Sequence, residues 1–321
     1  MKKPVIIISL TGGLGNQLFQ LAAGLNFAKG KNLILSSAFG KPRQNNRGKT
    51  ELLSFKLPSN VLVLESGEAP WVTRKIAGYL LRLGAAPKGV EIYNFFSRIA
   101  CAIASYFFIF FFKQFVAVTY SKNLGFAPIK IKNGNNLMFG YFQTFRWVEN
   151  PVVKNTMMDI NLKSKSNNLD IFKALSDIEK PIVVHVRLGD YQLEQHFGTL
   201  SKNYYKLGIE KMMESNICKS IWLFSDDIDE AKKLLPCNID IPVRLIDQID
   251  DSASVTFEVM RLGFGYVIAN STFSWWAAYL SRNQGVEIIA PKPWFKGTSE
   301  PLDLIPKEWE RIEGNIFKNT L

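Results

Sequence analysis

A strand-like run near the middle of the sequence ends in side chains that can bind an anion and move a proton. The run Ile182–Val186 is mostly β-branched, which is typical of a buried strand. Arg187 carries a planar, permanent cation suited to a diphosphate, His185 offers ring nitrogens, and Asp190 offers a proton acceptor. A surface ion pair between Arg187 and Asp190 is the alternative with no function, and these residues alone leave it open.

A parallel sheet is the element that must position these groups. Strands and helices alternate from this point on, with strands predicted at Ile182–Val186, Ile221–Phe224, Val243–Ile246, Tyr266–Ala269 and Val286–Ala290, and helices at Tyr204–Glu214, Asp229–Leu235, Ser254–Leu262 and Ser274–Arg282. That rhythm indicates βαβ units. Open α/β sheets hold ligands at the carboxyl ends of their strands, which is where Arg187 falls.

Polar groups also follow two later strands. Ser271, Thr272 and Ser274 come at the start of a helix, where backbone N–H groups, hydroxyls and the positive helix end favour an anion. Asp226 and Asp227 follow another strand, and either could simply cap the helix that comes next.

The first strand, within Pro4–Leu10, leads into a glycine turn and a helix predicted from about Asn16 to Lys29. The turn reads G-G-x-G-N rather than G-x-G-x-x-G, because Leu18 stands where the third glycine is needed. The first carboxylate of the chain is Glu51, so no acidic ribose-binding residue follows either. The glycine turn therefore does not favour a nicotinamide enzyme.

The rest of the first half is read more coarsely. A strand is predicted at Asn32–Ser36, helices at Trp71–Leu83 and Asn94–Val116, and a strand at Met138–Gln143 that places Tyr141 and Gln143 on one face. The basic stretch Lys41–Thr50 is predicted to be a solvated, mobile loop. The polar stretch Lys163–Asn168 marks a domain boundary.

Five segments, in order along the chain, carry a resemblance to a known family: Gly12–Gln17, Gly140–Gln143, His185–Tyr191, Ser225–Asp227 and Asn270–Trp276. With these five segments the sequence resembles family 11 glycosyltransferases, the α-1,2-fucosyltransferases. It more distantly resembles the wider fucosyltransferase group with an H-x-R-R-x-D motif. This chain departs from the pattern at Leu188, where most relatives have a second arginine.

The resemblance implies an α/β fold of the GT-B type, with two facing Rossmann-like domains, parallel sheets and a cleft between them. Residues 1–165 are then the N-terminal, acceptor-side domain, and residues 166–321 are the C-terminal domain that binds GDP-fucose. In the first domain Gly13, Asn16 and Gln17 border the cleft, with the two amides offered to sugar hydroxyls; the alternative is that Asn16 only caps its helix.

The reaction implied is transfer of L-fucose from GDP-β-L-fucose to a galactoside hydroxyl, with inversion, no metal and no cofactor. Arg187 and the Ser271–Ser274 helix start then hold the departing diphosphate, and His185 lies in the substrate site. Asp226 or Asp227 reads guanine through its N1–H and exocyclic amine. Asp190 is the first candidate for the base, Glu194 the second and His196 the third. With Leu188 present, either Arg187 suffices or a basic residue of the first domain adds the second cation.

Composition narrows the class of protein and its partners. The 321 residues are 47% apolar and 13% aromatic, so the chain can bury substantial cores. Cys101, Cys218 and Cys237 are widely spaced, which favours a reducing cytosol, and no metal-ligand spacing occurs. Residues 1–150 hold 19 Lys and Arg against 5 Glu and no Asp, a charge of +14, whereas residues 151–321 carry −3.

Such a charge asymmetry predicts a partner that is anionic. No nucleic-acid-binding motif is present, so nucleic acid is not expected. A membrane surface at the inner face, or an acceptor glycan linked to a lipid diphosphate as in bacterial O-antigen synthesis, fits the charge. The apolar stretch Ile99–Phe112 is too short to span a bilayer. It is interpreted as a core helix, with a membrane-seated helix as the alternative.

Two rival functions remain from the sequence. One keeps the enzyme class and changes the nucleotide-sugar donor. The other is a non-catalytic protein that organises glycan assembly at a membrane surface, and lipid binding without nucleotide binding would distinguish it.

Overall fold

The computed structural model describes residues 5–40, 43–45, 49–65, 99–100, 102–107, 109–110, 115–120, 125–126, 128–189, 198–215, 217–247, 249–296 and 299–314. The chain forms two compact units. Unit 1 comprises Met1–Asn161 and Pro301–Leu304, and unit 2 comprises Leu162–Glu300 and Ile305–Leu321. The main division thus falls just before the predicted boundary at residue 165, and the return of residues 301–304 to unit 1 has no signal in the sequence.

Unit 1 is built on a parallel sheet of five strands in the order β3-β2-β1-β5-β4. The strands are β1 (Val5–Ser9), β2 (Leu33–Ser36), β3 (Val61–Leu64), β4 (Phe115–Tyr120) and β5 (Asn135–Phe139). Two helices of this unit are α1 (Leu14–Ala28) and α2 (Pro151–Met158), and 3-10 turns lie at Glu51–Ser54 and Phe145–Glu149.

Helix α1 packs tightly onto one face of this sheet. Gly24 makes the approach possible, because a Cβ at this position would lie 2.7 Å from the Leu33 side chain and 3.1 Å from that of Ile8. Ile7 points to the other face, as the two-residue period of a strand requires, and clusters there with Leu137 and Phe139. Both faces of β1 are therefore buried.

The other face is covered by a helix that we call the outer helix, whose described residues are 99, 100, 102–107, 109 and 110. Ala100 and Ala104 pack against the cluster around Ile7. Five large apolar side chains among the described residues of this helix are instead exposed: Ile99, Ile103, Tyr106, Phe107 and Phe110. The interpretation of this stretch as a core helix is wrong for these five side chains. Among the described residues, no helix is long and apolar enough to cross a bilayer.

Two elements predicted in unit 1 have the wrong bounds. The helix predicted to reach Val116 ends earlier, since Phe115 begins β4, whose aromatic and β-branched residues suit a strand. The strand predicted at Met138–Gln143 is Asn135–Phe139, and beyond it Phe142 adopts a positive φ of 54° that ends extended pairing. The helix predicted at Trp71–Leu83 lies outside the described residues.

Unit 2 contains a parallel sheet of six strands in the order β11-β10-β9-β6-β7-β8. The strands are β6 (Pro181–Val186), β7 (Ser220–Ser225), β8 (Val243–Ile246), β9 (Gly265–Val267), β10 (Glu287–Lys292) and β11 (Glu310–Glu313). The helices are α3 (Asn167–Glu179), α4 (Lys202–Glu214), α5 (Ile228–Lys233), α6 (Ala253–Met260) and α7 (Thr272–Tyr279), with a 3-10 turn at Ile249–Asp251.

The strand–helix alternation predicted for this half is confirmed, whereas α3 and β11 were not predicted. Helix α3 begins inside the stretch that was interpreted as a linker, because Ser166 caps it by accepting a hydrogen bond from Leu169 N. The predicted α/β class, with the two parallel-sheet units that characterise GT-B enzymes, is confirmed.

Helix α7 is held by a buried ionic network at its carboxyl end. The fully buried Arg261 donates from Nε to the Leu280 carbonyl at 2.7 Å and from Nη1 to Glu258 at 2.6 Å. Arg282 binds the second oxygen of Glu258 at 2.8 Å. Because a buried charge without a partner is costly, these contacts fix α7 and the position of its first turn.

Candidate functional site

In unit 2 the order in which the chain adds strands to the sheet reverses between β6 and β9. The chain passes from β6 outward to β7 and β8, then returns to place β9 on the other side of β6. The register pairs His185 with Phe224 and Val184 with Val267, so the carboxyl ends of these three strands lie side by side. This topological switch point is where open α/β sheets bind ligands. The segments that begin at Arg187, Asp226 and Asn270 all leave the sheet there.

Arg187 is held in place by Asp226. The Arg187 Nη1 atom lies 3.1 Å from Asp226 Oδ2, and both side chains are largely buried. The other carboxylate oxygen accepts a hydrogen bond from the backbone N–H of Leu188 at 2.9 Å. Gly189 permits this approach, since a Cβ there would lie 2.5 Å from Asp226 Oδ2. Asp226 therefore fixes both the guanidinium and the backbone that carries it.

These contacts bear on the prediction that Asp226 or Asp227 reads guanine. Both oxygens of Asp226 already have partners within the protein. Asp227 caps α5 by accepting a hydrogen bond from Glu230 N at 3.2 Å. The structure thus assigns each aspartate a positioning contact, and the guanine-reading role stays a prediction.

His185 is buried beneath this loop. Its burial, with the nearby charge of Arg187 as a smaller cause, lowers the pKa of the imidazole to about 3, so the ring is neutral at ordinary pH. The His185 Nδ1 atom is buried and has no hydrogen-bond partner among the described residues. The ring faces Phe273 in the first turn of α7, with 6.3 Å between centroids. His185 thus joins the end of β6 to the start of α7.

The first turn of α7 contains three hydroxyl side chains, of which Ser271 and Ser274 are buried and Thr272 is partly exposed. Ser271 is the N-cap residue, but its hydroxyl makes no capping hydrogen bond. Thr272 is half-buried. Ser274 is fully buried, and its hydroxyl lies 3.2 Å from the Ser271 carbonyl and 3.4 Å from that of Ala269. The Ser274 hydroxyl is therefore used by the backbone, and the anion-binding role stays a prediction for Ser271 and Thr272.

The base candidates Asp190 and Glu194, together with His196, lie outside the described residues, so their roles stay predictions. Within the ranges that the structure describes, no group of three or more His, Cys, Asp or Glu side chains is arranged to hold a metal ion.

Unit 1 has a switch point of its own, between β1 and β5. The chain runs from β1 to β2 and β3 on one side and returns to β5 on the other. Two motifs that are distant in sequence meet there, since Gln143 Nε2 donates to Asn16 Oδ1 at 3.0 Å. Gly12 has a positive φ of 73°, and a Cβ on it would lie 2.4 Å from Asn16 Nδ2. Gly13 is the N-cap residue of α1.

Two glutamines of helix α1, Gln17 and Gln20, make hydrogen bonds within the protein. Gln17 is fully buried, donates to the carbonyls of Gly12 and Arg43, and accepts from Leu52 N. Its amide is thus fully used by the backbone, and we no longer assign it to a sugar. Gln20 joins the two loops by accepting from Thr11 N and donating to the Gly140 carbonyl.

Arg43 is a candidate that the sequence did not reveal. The loop around it is tied to the glycine turn, because Arg43 N donates to the Gly12 carbonyl at 2.7 Å. The guanidinium lies 4.0 Å from where a Cβ of Gly13 would be. In its described part the loop is thus anchored rather than mobile, and it fixes a cation beside Asn16. Only contacts with residues distant in sequence reveal this position.

Comparison with known proteins identifies the family. The model of glycosyl transferase family 11 matches residues 93–313, more than half of the chain. The chain belongs to glycosyl transferase family 11. The enzyme class predicted from the five motifs is confirmed at this level, and the protein is a glycosyltransferase.

Two curated relatives from Escherichia coli match nearly the full length. One, "O-antigen biosynthesis glycosyltransferase WbnK", is 24% identical over 91% of this chain and 95% of its own. The other, "Alpha-1,2-colitosyltransferase", is 27% identical over 96% of this chain and 99% of its own. Among solved structures, the α-1,6-fucosyltransferase NodZ co-crystallised with GDP has 15% identity, covers 86% of this chain and 92% of its own, and has a TM-score of 0.45. POFUT1 in complex with GDP has 13% identity, covers 89% and 98%, and also has a TM-score of 0.45.

The depressed pKa of His185 predicts a specific loss of stability in mild acid. Since the folded pKa is about 3 and the unfolded value near 6.5, the unfolded chain binds the proton first, and stability falls as pH drops below the unfolded pKa. Between about pH 7 and about pH 5 this residue should remove about 2 kcal/mol of unfolding free energy.

The contribution of His185 to the unfolding free energy can be measured by chemical denaturation followed by tryptophan fluorescence. The wild type and His185→Gln are compared at both pH values. Carboxylates titrate alike in the two proteins, so the pH-dependent loss should be about 2 kcal/mol smaller in the variant. An equal loss in both would mean that His185 is protonated, or accessible to water, in the folded state.

Proposed function

We propose that this glycosyltransferase moves L-fucose from GDP-β-L-fucose to a galactoside hydroxyl, with inversion and an α-1,2 linkage, in the synthesis of an O-antigen-type polysaccharide. The observation that carries the proposal is the grouping of Arg187, fixed by Asp226, with the uncapped start of α7 at a topological switch point. A cation beside free helix N–H groups is what a departing nucleoside diphosphate requires.

The reaction is a single displacement. The acceptor oxygen forms a bond to the anomeric carbon while the bond from that carbon to the diphosphate oxygen breaks, and GDP leaves with additional negative charge. Arg187, Ser271 and Thr272 stabilise that charge in this proposal, without a metal. The proton of the acceptor hydroxyl goes to a base, for which Asp190, Glu194 and His196 are the candidates in that order. Asn16 of unit 1, oriented by Gln143, is proposed to bind sugar hydroxyls.

A second donor is favoured by a specific comparison. The relative described as an α-1,2-colitosyltransferase matches this chain over nearly its full length. Colitose is the 3-deoxy form of L-fucose, so the two donors share the anomeric centre and the nucleotide and differ by one hydroxyl. The diphosphate-binding groups proposed here serve both donors equally, and the choice depends on contacts to the sugar. The acceptor and the site of action at the inner face of the membrane are part of the proposal.

The donor is tested directly by incubating the enzyme with GDP-fucose, GDP-colitose, GDP-mannose or UDP-galactose and a panel of galactosides, with and without EDTA. We expect transfer from GDP-fucose that persists in EDTA, with an α-1,2 linkage in the NMR spectrum of the product. Transfer from GDP-colitose alone would establish the second donor. Transfer only from a uridine donor, or activity that EDTA abolishes and Mn²⁺ restores, would contradict the proposal.

The ion pair at the switch point yields a prediction that separates two roles for Asp226. Arg187→Ala should lower turnover by about a hundredfold or more, as is usual when a group that stabilises transition-state charge is removed. Asp226→Asn should weaken GDP binding because it releases Arg187, and it should add little in the Arg187→Ala background. Gly189→Ala should act like Asp226→Asn, since its Cβ would displace the carboxylate without changing any charge.

Binding of guanosine, which lacks phosphates, distinguishes the alternatives. If Asp226 positions Arg187, Asp226→Asn weakens GDP binding and leaves guanosine binding unchanged. If Asp226 reads the base, guanosine binding falls as well and the loss persists without Arg187. Asp227→Asn keeps the helix cap, because asparagine caps a helix as well as aspartate does, so a loss of guanosine binding in that variant would assign the reading of the base to Asp227.

A further inference from the structure

The outer helix of unit 1 presents large apolar side chains to solvent at helical spacing. Ile99, Ile103, Tyr106 and Phe110 recur at intervals of three and four residues, which places them along one stripe. Their exposed fractions are 43%, 52%, 71% and 62%, and Phe107 beside them is 47% exposed. A helix that covers a sheet ordinarily turns its large apolar residues inward. Here Ala100 and Ala104 pack on the sheet and the larger residues remain outside.

Exposed lysines gather at one edge of the same sheet. Because all five strands are parallel, the segments that precede them lie together at the amino edge. Ile6 pairs with Leu33, and Val5 pairs with Asn135. Lys31 therefore precedes β2 on one side of β1, and Lys130 and Lys132 precede β5 on the other.

The apolar stripe ends close to this basic edge. Phe110 comes five positions before Phe115, the first residue of β4, and five residues span at most about 18 Å. Phe110 is thus within that distance of Phe115, whose pairing partner Asn135 begins β5 three residues after Lys132. Apolar side chains beside a row of cations match the boundary of an anionic bilayer, where acyl chains meet negatively charged headgroups.

We propose that unit 1 docks on an anionic membrane through the outer helix and the amino edge of its sheet. The described helix residues are too few to cross the bilayer, so the contact is peripheral. The charge of residues 1–150, +14, has the sign that this contact requires. Asn16, which Gln143 contacts, lies at the carboxyl edge, the opposite end of the same strands, so docking at the amino edge leaves it uncovered. This contact does not depend on which sugar donor the enzyme uses.

Co-sedimentation with vesicles tests the docking surface. Wild-type protein should bind vesicles rich in phosphatidylglycerol, bind pure phosphatidylcholine vesicles at least about tenfold more weakly, and lose part of its binding at high salt. The triple variant Ile103→Ser/Tyr106→Ser/Phe110→Ser should weaken binding to the anionic vesicles by at least about tenfold. The triple variant Lys31→Gln/Lys130→Gln/Lys132→Gln should do the same and reduce the dependence on salt.

The matched control is Val152→Ser/Leu302→Ser. These apolar residues of unit 1 are 71% and 100% exposed but lie outside the outer helix, so vesicle binding should be unchanged. Turnover of a soluble galactoside should be unchanged in every one of these variants, which separates failure of the docking surface from failure of the proposed reaction.

The proposal is overturned if the wild type does not bind anionic vesicles, or if the helix variant binds them as well as the wild type does. It is also overturned if sedimentation shows that the wild type is a dimer and the helix variant a monomer, since the stripe would then contact a second copy.

Discussion

Parallel pairing of β6 with both β7 and β9 is the constraint on which the candidate site depends. Parallel strands end at a common edge, so residues 39 to 83 positions apart in the chain, such as Val184 and Val267, become neighbours through strand pairing alone. The register then sets which side chains meet: Val186 lies opposite Ser225, and the next residues along, Arg187 and Asp226, form the ion pair. The reversal of strand order beside β6 leaves room for a ligand at that position.

The polar residues of the motifs fall into two groups with different functions. One group hydrogen-bonds the protein itself: Asp226, Asp227, Ser274, Gln17 and Gln20. The other group comprises the proposed ligand-binding residues: Arg187 and Ser271, which Asp226 and Ser274 contact in unit 2, and Asn16, which Gln143 contacts in unit 1. In unit 2 this division explains why several polar residues surround the proposed anion site. A cation that stabilises the charge developing in a transition state has to be held in position beforehand. The carboxylate of Asp226 holds the Arg187 guanidinium in this way.

The sequence predicted the architecture of unit 2 well, because each β-branched run there is followed by a helix with its own start signal, and no distant contact is needed to recognise either. It performed less well in unit 1. The predicted helix ran on into Phe115 and Val116, the first residues of β4, and the rest of that strand was not predicted, since a continuous apolar run has no period to mark the change. The roles of Gln17 and Asp226 were also beyond the sequence, because both are set by backbone groups brought near by the fold. Motif letters show which residues matter, and only their contacts show whether they bind a ligand or hold a neighbour.

The central claim is that the guanidinium at 187 and the first turn of α7 together hold a pyrophosphate. A crystal structure of the enzyme with bound GDP tests it most directly. The account predicts pyrophosphate oxygens within hydrogen-bonding distance, about 3 Å, of both the Arg187 guanidinium and the backbone N–H groups that follow Ser271. Pyrophosphate bound away from either group would contradict it.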